Sequence, residues 1–209
     1  MLTSTYTLVA LSIEQTTARA ALQSLLDELH ALPGDFATLA AGRAARLCGM
    51  LRQVYDDCHW RKLDKFVVPA LRRATDAVTG LLRDCEMLSG EAAEAMAAAE
   101  ACVGEEVDAG TGSTTHSVPR GTFSAAVERC VAALRLRLER EEQELFPLAR
   151  AAIGIDAWFA IANQMLAHDA HARERRAAGA AGGPRGMAPP AREMVQAEAG
   201  WRLAFSAMN

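Results

Sequence analysis

The chain has 209 residues, of which 51% are hydrophobic and 23% charged, with a net charge of −4. That is enough material for one large packed domain, or a domain with a tail, and it excludes disorder as the global state. The acidic balance argues against a nucleic-acid partner, whose backbone contacts need clustered positive charge.

Helical periodicity then dominates in chain order. A first helix is expected over about Leu8 to Ala31, with Leu8, Leu11, Gln15, Ala18, Leu22, Leu25 and Leu29 at alternating steps of three and four. Leu32-Pro33-Gly34-Asp35 breaks it, and Asp35 is a plausible N-cap. A second helix runs from about Phe36 to Val68 and is stopped or kinked at Pro69. A third, about Thr75 to Val103, places Val78, Leu81, Cys85, Leu88, Ala92, Ala99 and Cys102 on one face. Residues Gly104 to Gly121 read as a long polar connection. A fourth helix, about Phe123 to Ala152, carries Val127, Val131, Leu134, Leu138, Glu141, Leu145 and Leu148. A fifth follows Gly154 and ends near Gly179. Strand signals are absent, since aromatics make up only 5% and alanine-rich runs such as Glu94 to Ala101 favour helix.

Four long amphipathic helices make an all-α, antiparallel four-helix bundle the economical fold over residues 1–179. Residues 180–209 read as a Gly/Pro linker and tail, whose Trp201, Leu203 and Phe205 hint at docking. No apolar run reaches the roughly 18 residues of a membrane span. Met1 to Tyr6 lacks the basic start of a secretory signal, so a cytoplasmic protein without a membrane partner is expected. Five cysteines (Cys48, Cys58, Cys85, Cys102 and Cys130) show no CxxC spacing, against a disulfide framework or zinc knuckle.

The chain also matches itself. His59 to Leu71 aligns with Arg137 to Ala149 at an offset of 78, and Leu11 to Gln15 with Leu81 to Cys85 at 70. Two related helical hairpins, and a pseudo-two-fold bundle, follow from that pattern. Polar residues within the apolar stripes are the informative ones, because burying them unpaired is costly. They are Gln15, His59, Cys85 and Glu141, with Arg137 one turn before Glu141.

The segment Glu141-Glu142-Gln143-Glu144-Leu145-Phe146-Pro147-Leu148-Ala149 resembles the EExxLFPxA that closes each half of hemerythrin-like, HHE cation-binding domains. His59 to Leu71 resembles the matching end of the first half, and the likeness covers about Leu8 to Arg176. The resemblance implies a bundle holding two irons through histidines and bridging carboxylates, with an HxxxE pair from each half. Here the implied ligand positions read Gln15, His59 with Leu63, Cys85, and Arg137 with Glu141. Only His59 and Glu141 remain good ligands, and a permanent cation at Arg137 would repel a dication. No cofactor is therefore expected. A residual metal, iron by the resemblance, would fall on His59, Glu141 and Cys85, with His30, Asp64, Glu14, Glu86 and Glu142 nearby.

Two readings of this polar core follow. Arg137 and Glu141 form an intrahelical ion pair filling the space of the lost metal, or the core is a pocket. In the pocket, His59, Glu141 and Arg137 are candidate catalytic groups, and Gln15, Arg52, Tyr55 and Cys85 candidate ligand-binding groups. Arginine would hold an oxyanion of a small organic molecule while His59 or Glu141 moved protons. The alternatives are a non-catalytic sensor or interaction module, for which a second copy of the chain, in a homo-oligomer, is one candidate partner, and an iron protein with oxygen or nitric oxide chemistry.

Overall fold

A computed structural model describes residues 2–31, 38–59, 61–104 and 117–182. The expected tail lies almost wholly outside the described residues, as does most of the connection after Gly104. Helix α1 spans Leu2–His30, strand β1 Thr38–Ala40 and helix α2 Ala41–His59. A π-helical turn, Leu63–Val67, leads into α3, Val68–Ala74. A 3₁₀ turn, Asp76–Val78, precedes α4, Thr79–Gly104, with the Thr75 hydroxyl accepting from the Ala77 N–H at its start. Strand β2, Ser117–Pro119, then opens α5, Arg120–Arg140. A second π-helical turn, Glu141–Leu145, continues into α6, Phe146–Ala152, and α7 spans Ile155–Gly182.

The all-α expectation holds with one correction. β1 and β2 pair antiparallel, Leu39 opposite Val118, and both of these side chains are buried. Three residues per strand are too few for an alternating pattern to register in the sequence. None of the described helices is long and apolar enough to cross a membrane.

The chain divides into two units, residues 1–13 with 154–209, and residues 14–153. In the smaller unit, α7 buries Trp158, Ile161 and Met165 at helical spacing. In the larger, one apolar core joins Leu22, Leu25 and Leu29 of α1 to Leu47 and Leu51 of α2, Ala95 of α4, and Phe123, Val127 and Leu134 of α5. Helices α4 and α5 pack most extensively.

The expected long second and fourth helices are each broken, and in the same way. The turns Leu63–Val67 and Glu141–Leu145, and the helices Val68–Ala74 and Phe146–Ala152, are related by the 78-residue offset at both ends. In each, the residue before proline donates its N–H five residues back, Val68 to Leu63 and Phe146 to Glu141. Pro69 and Pro147 have no N–H, and an unbroken α-helix would drive each ring into the carbonyl four residues earlier. One extra residue in the turn relieves that clash without ending the helix. The halves differ at one point: α5 runs directly into its π turn, whereas α2 ends at His59 and leaves Arg61 outside the helix.

Candidate functional site

Glu141 is the centre of a buried ionic cluster in the larger unit. The residue is 1% exposed, like Gln15, and Arg61 and Arg137 are 6% and 7% exposed. Arg61 Nη2 donates to both Glu141 oxygens at 2.5 Å. Arg137 Nε donates to Oε1 at 3.0 Å and Gln15 Nε2 to Oε2 at 2.9 Å. Four N–H contacts thus meet a carboxylate that has about four lone-pair directions to offer. Buried ions persist only when so fully paired.

Each donor is placed by its own piece of backbone. Arg61 sits just past the end of α2, where its Nε donates to the Cys58 carbonyl at 3.0 Å. The guanidinium therefore satisfies a helix-terminal acceptor and meets the negative end of the helix before it reaches Glu141. Burial pulls its pKa down, but the charge and hydrogen bonds of Glu141 outweigh this and hold it above the ordinary arginine value. Arg137 lies one turn before Glu141 and points its remaining nitrogens the other way. Nη1 donates to Ser89 Oγ at 2.9 Å, and Nη2 to both oxygens of Asp64 at 2.8 and 2.9 Å. Ser89 in turn donates to the Cys85 carbonyl within α4. Burial pushes the Asp64 carboxyl above the usual carboxylate range, against the pull of Arg137 and Arg61.

Of the residues singled out in the sequence, Gln15, Arg137 and Glu141 are brought together by direct hydrogen bonds. Cys85 is buried beside them, and burial, with Glu141 next, raises its thiol from 9.0 to about 11. It is a neutral thiol at neutral pH rather than a thiolate donor. Tyr55 is half-buried against the apolar core. His59 closes α2, but its side chain lies outside the described part of the structure. Arg52 is a correction: its side chain is 54% exposed and is bound to Glu100 on the surface. The core stripe of α2 runs Ala44, Leu47, Leu51, Val54, Cys58, and Arg52 falls about 100° round the helix from Leu51.

The auxiliary acids pair elsewhere. Glu14 binds Lys62, Glu86 binds Arg72, and Glu142 binds Arg19, while His30 and Glu128 meet on the surface. Among the described residues, no three His, Cys, Asp or Glu side chains converge as a metal-binding set. The donor chemistry at Glu141 does not fit a dication either: its lone pairs are engaged, and two guanidinium cations stand against it. Arg61 and Ser89 are members of the cluster that helical periodicity does not single out. Arg61 belongs to no helix, and the Ser89 hydroxyl is visible only once α4 and α5 are packed together.

The cluster reaches the surface through Arg137. A cleft of about 480 Å³ is lined by Asp64, Cys85, Ser89 and Arg137, with Leu82, Val68 and Pro69 as its apolar wall. The exposed Arg72–Glu86 pair also borders it.

The buried thiols supply a pH prediction. Burial raises Cys130 from 9.0 to about 12 and Cys85 to about 11. A raised folded-state pKa leaves stability intact below pH 9, and stability then falls as pH rises toward 11 because only the unfolded thiol ionises freely. Melting temperature measured across this window should fall less steeply in Cys85→Ala/Cys130→Ala than in the parent. Equal slopes would mean that both thiols titrate as if in water.

A scan against protein-family models, and searches of curated proteins and of solved structures, find no match to this chain.

Proposed function

We propose that the chain is a hemerythrin-like antiparallel four-helix bundle in which a buried ion cluster has taken the place of a di-iron centre. In this reading the protein works without metal and binds a small anionic organic molecule in the cleft beside Arg137. Support comes from the motif Glu141 to Ala149, from the 78-residue repeat of π turn and helix, and from where the polar residues lie. Gln15 and Arg137, at positions where that family carries ligands, both donate hydrogen bonds to Glu141, at a third such position.

The observation that carries the binding reading is the span of Arg137. One guanidinium is fixed to Glu141 in the core and also lines an open cleft with an apolar wall, where its cleft side already holds the Asp64 carboxylate, the arrangement of an anion site. Glu141 itself is sealed in the core with its oxygens already engaged by Gln15, Arg61 and Arg137, which favours binding over turnover.

The test is a thermal-shift screen of small organic anions, paired with metal analysis of protein from iron-supplemented cells. A ligand at a hundred times its Kd should add about 2.7 kcal/mol, a rise of several degrees in Tm. Leu82→Trp, which fills the cleft, should abolish the shift. Stoichiometric iron with an oxo-bridge absorption band would overturn the reading, as would a screen in which no anion raises Tm.

A further inference from the structure

The proposal above leaves the class of ligand open, and the cleft carries one more observation. Arg137 and Asp64 are held very differently. The arginine side chain is 9% exposed and is anchored on two other sides, by Glu141 and by the Ser89 hydroxyl. The aspartate side chain is 36% exposed and is turned onto the guanidinium from the cleft side, both oxygens on one nitrogen. The cation is therefore a fixed fixture of the fold, while the carboxylate that covers it can swing into water.

Charge balance states what would replace it. Among the described residues, the cleft and the cluster beneath it hold three cations, Arg61, Arg72 and Arg137, and three anions, Asp64, Glu86 and Glu141. With Asp64 turned out, one positive charge is left uncompensated at Arg137. A ligand of charge −1 restores the balance, whereas a dianion would face Glu86 and Glu141 with no second unpaired cation among the described residues lining the cleft. The group that already fills the place is a carboxylate, and a guanidinium holds carboxylates with well-defined geometry. Behind it lie Leu82, Val68 and Pro69, which suit an apolar body rather than a sugar or a phosphate chain.

We propose that Asp64 is a built-in competitor for Arg137, and that the ligand of the cleft is a small apolar monocarboxylate that takes the place of the Asp64 side chain. The proposal rests on the anion-binding reading given above. Its consequence is unusual for a residue lining a site: removing Asp64 should tighten binding. Exchange of one carboxylate for another returns little free energy in the parent protein, so affinity there is weak. Without the internal carboxylate, the buried cation has no partner on the cleft side until a ligand arrives.

The experiment is calorimetric titration with benzoate, its neutral counterpart benzamide, and inorganic phosphate, on the parent, Asp64→Asn, Asp64→Ser and Leu82→Trp. Circular dichroism checks that each variant is folded, and the two Asp64 variants guard against one of them failing. Benzoate should bind Asp64→Asn about ten-fold or more tightly than the parent, the scale of one charge-assisted contact. Benzamide should bind neither, phosphate should bind more weakly than benzoate, and Leu82→Trp should lose benzoate. If Leu82→Trp abolishes benzoate binding but the Asp64 variants match the parent, Asp64 is no competitor and only the present proposal fails. Phosphate binding tighter than benzoate overturns the monocarboxylate class, again leaving the anion site itself. No binding of either anion to any folded variant overturns this proposal and, with a negative screen, the anion-binding reading as well.

Discussion

Glu141→Met is expected to lower the unfolding free energy by about 3–5 kcal/mol, and Arg61→Met by a similar amount, because each strands a buried charge. The size follows from burial. Surface pairs such as Arg19–Glu142, with side chains 39% and 45% exposed, contribute only about 0–1 kcal/mol. Arg61 and Glu141 are both nearly sealed, and neither can recover its hydration when the other is lost. Arg137 is in a different position, since it keeps Asp64 and Ser89 when Glu141 is removed. Among the described residues, the Arg61 side chain keeps only its hydrogen bond to the Cys58 carbonyl. The strongest coupling should therefore lie between Arg61 and Glu141, at the larger end of the 0.5–3 kcal/mol that contacting residues show. In a double-mutant cycle by denaturant unfolding, Arg61→Met/Glu141→Met should cost clearly less than the two single changes together. Apolar side chains can fill the vacated volume, and replacing a whole buried pair is often close to neutral. Strict additivity would mean that the two side chains do not share one buried cluster.

What could be read in advance divides along physical lines. Gln15, Cys85, Arg137 and Glu141 stand out because a regular helix converts spacing into direction, so a polar residue in an apolar stripe must be buried. That logic requires an unbroken helix. Arg61 lies where α2 has ended and the π turn has not begun, so no periodicity assigns it a direction, yet it makes the shortest contacts to Glu141. Asp64 lies inside a π turn, where the angular step per residue differs from that of an α-helix, and its pairing with Arg137 was equally hidden. Arg52 fails for a simpler reason. It shares an azimuth with His59, but the buried stripe of α2 runs through Leu51 and Cys58, one residue earlier in each turn. The breaks themselves were partly legible, since Pro69 and Pro147 recur at the repeat offset and a proline cannot continue an α-helix unaided. The β1–β2 pairing depends on two loops meeting, which no local pattern encodes.

The π turns lead to the second large effect. Glu142 is exposed, and among the described residues its carboxylate pairs with the half-exposed Arg19, so Glu142→Ala should change stability by no more than about 0.5 kcal/mol. Deleting the same residue should behave quite differently. One residue fewer would return the turn Glu141–Leu145 to α-helical spacing. The π turn takes up its extra residue within a single turn, so the helix faces before and after it keep nearly the same direction. The penalty falls on Pro147, whose ring would be driven into the carbonyl four residues earlier, which the extra residue now moves aside. The deletion should therefore cost about 3 kcal/mol or more, the cost of a proline inside an α-helix. Chemical unfolding of the two variants side by side makes the comparison, with the substitution as control for loss of the side chain. A deletion as mild as the substitution would show that the helix passes through Pro147 without the extra residue, and that the π turn is not what accommodates the proline.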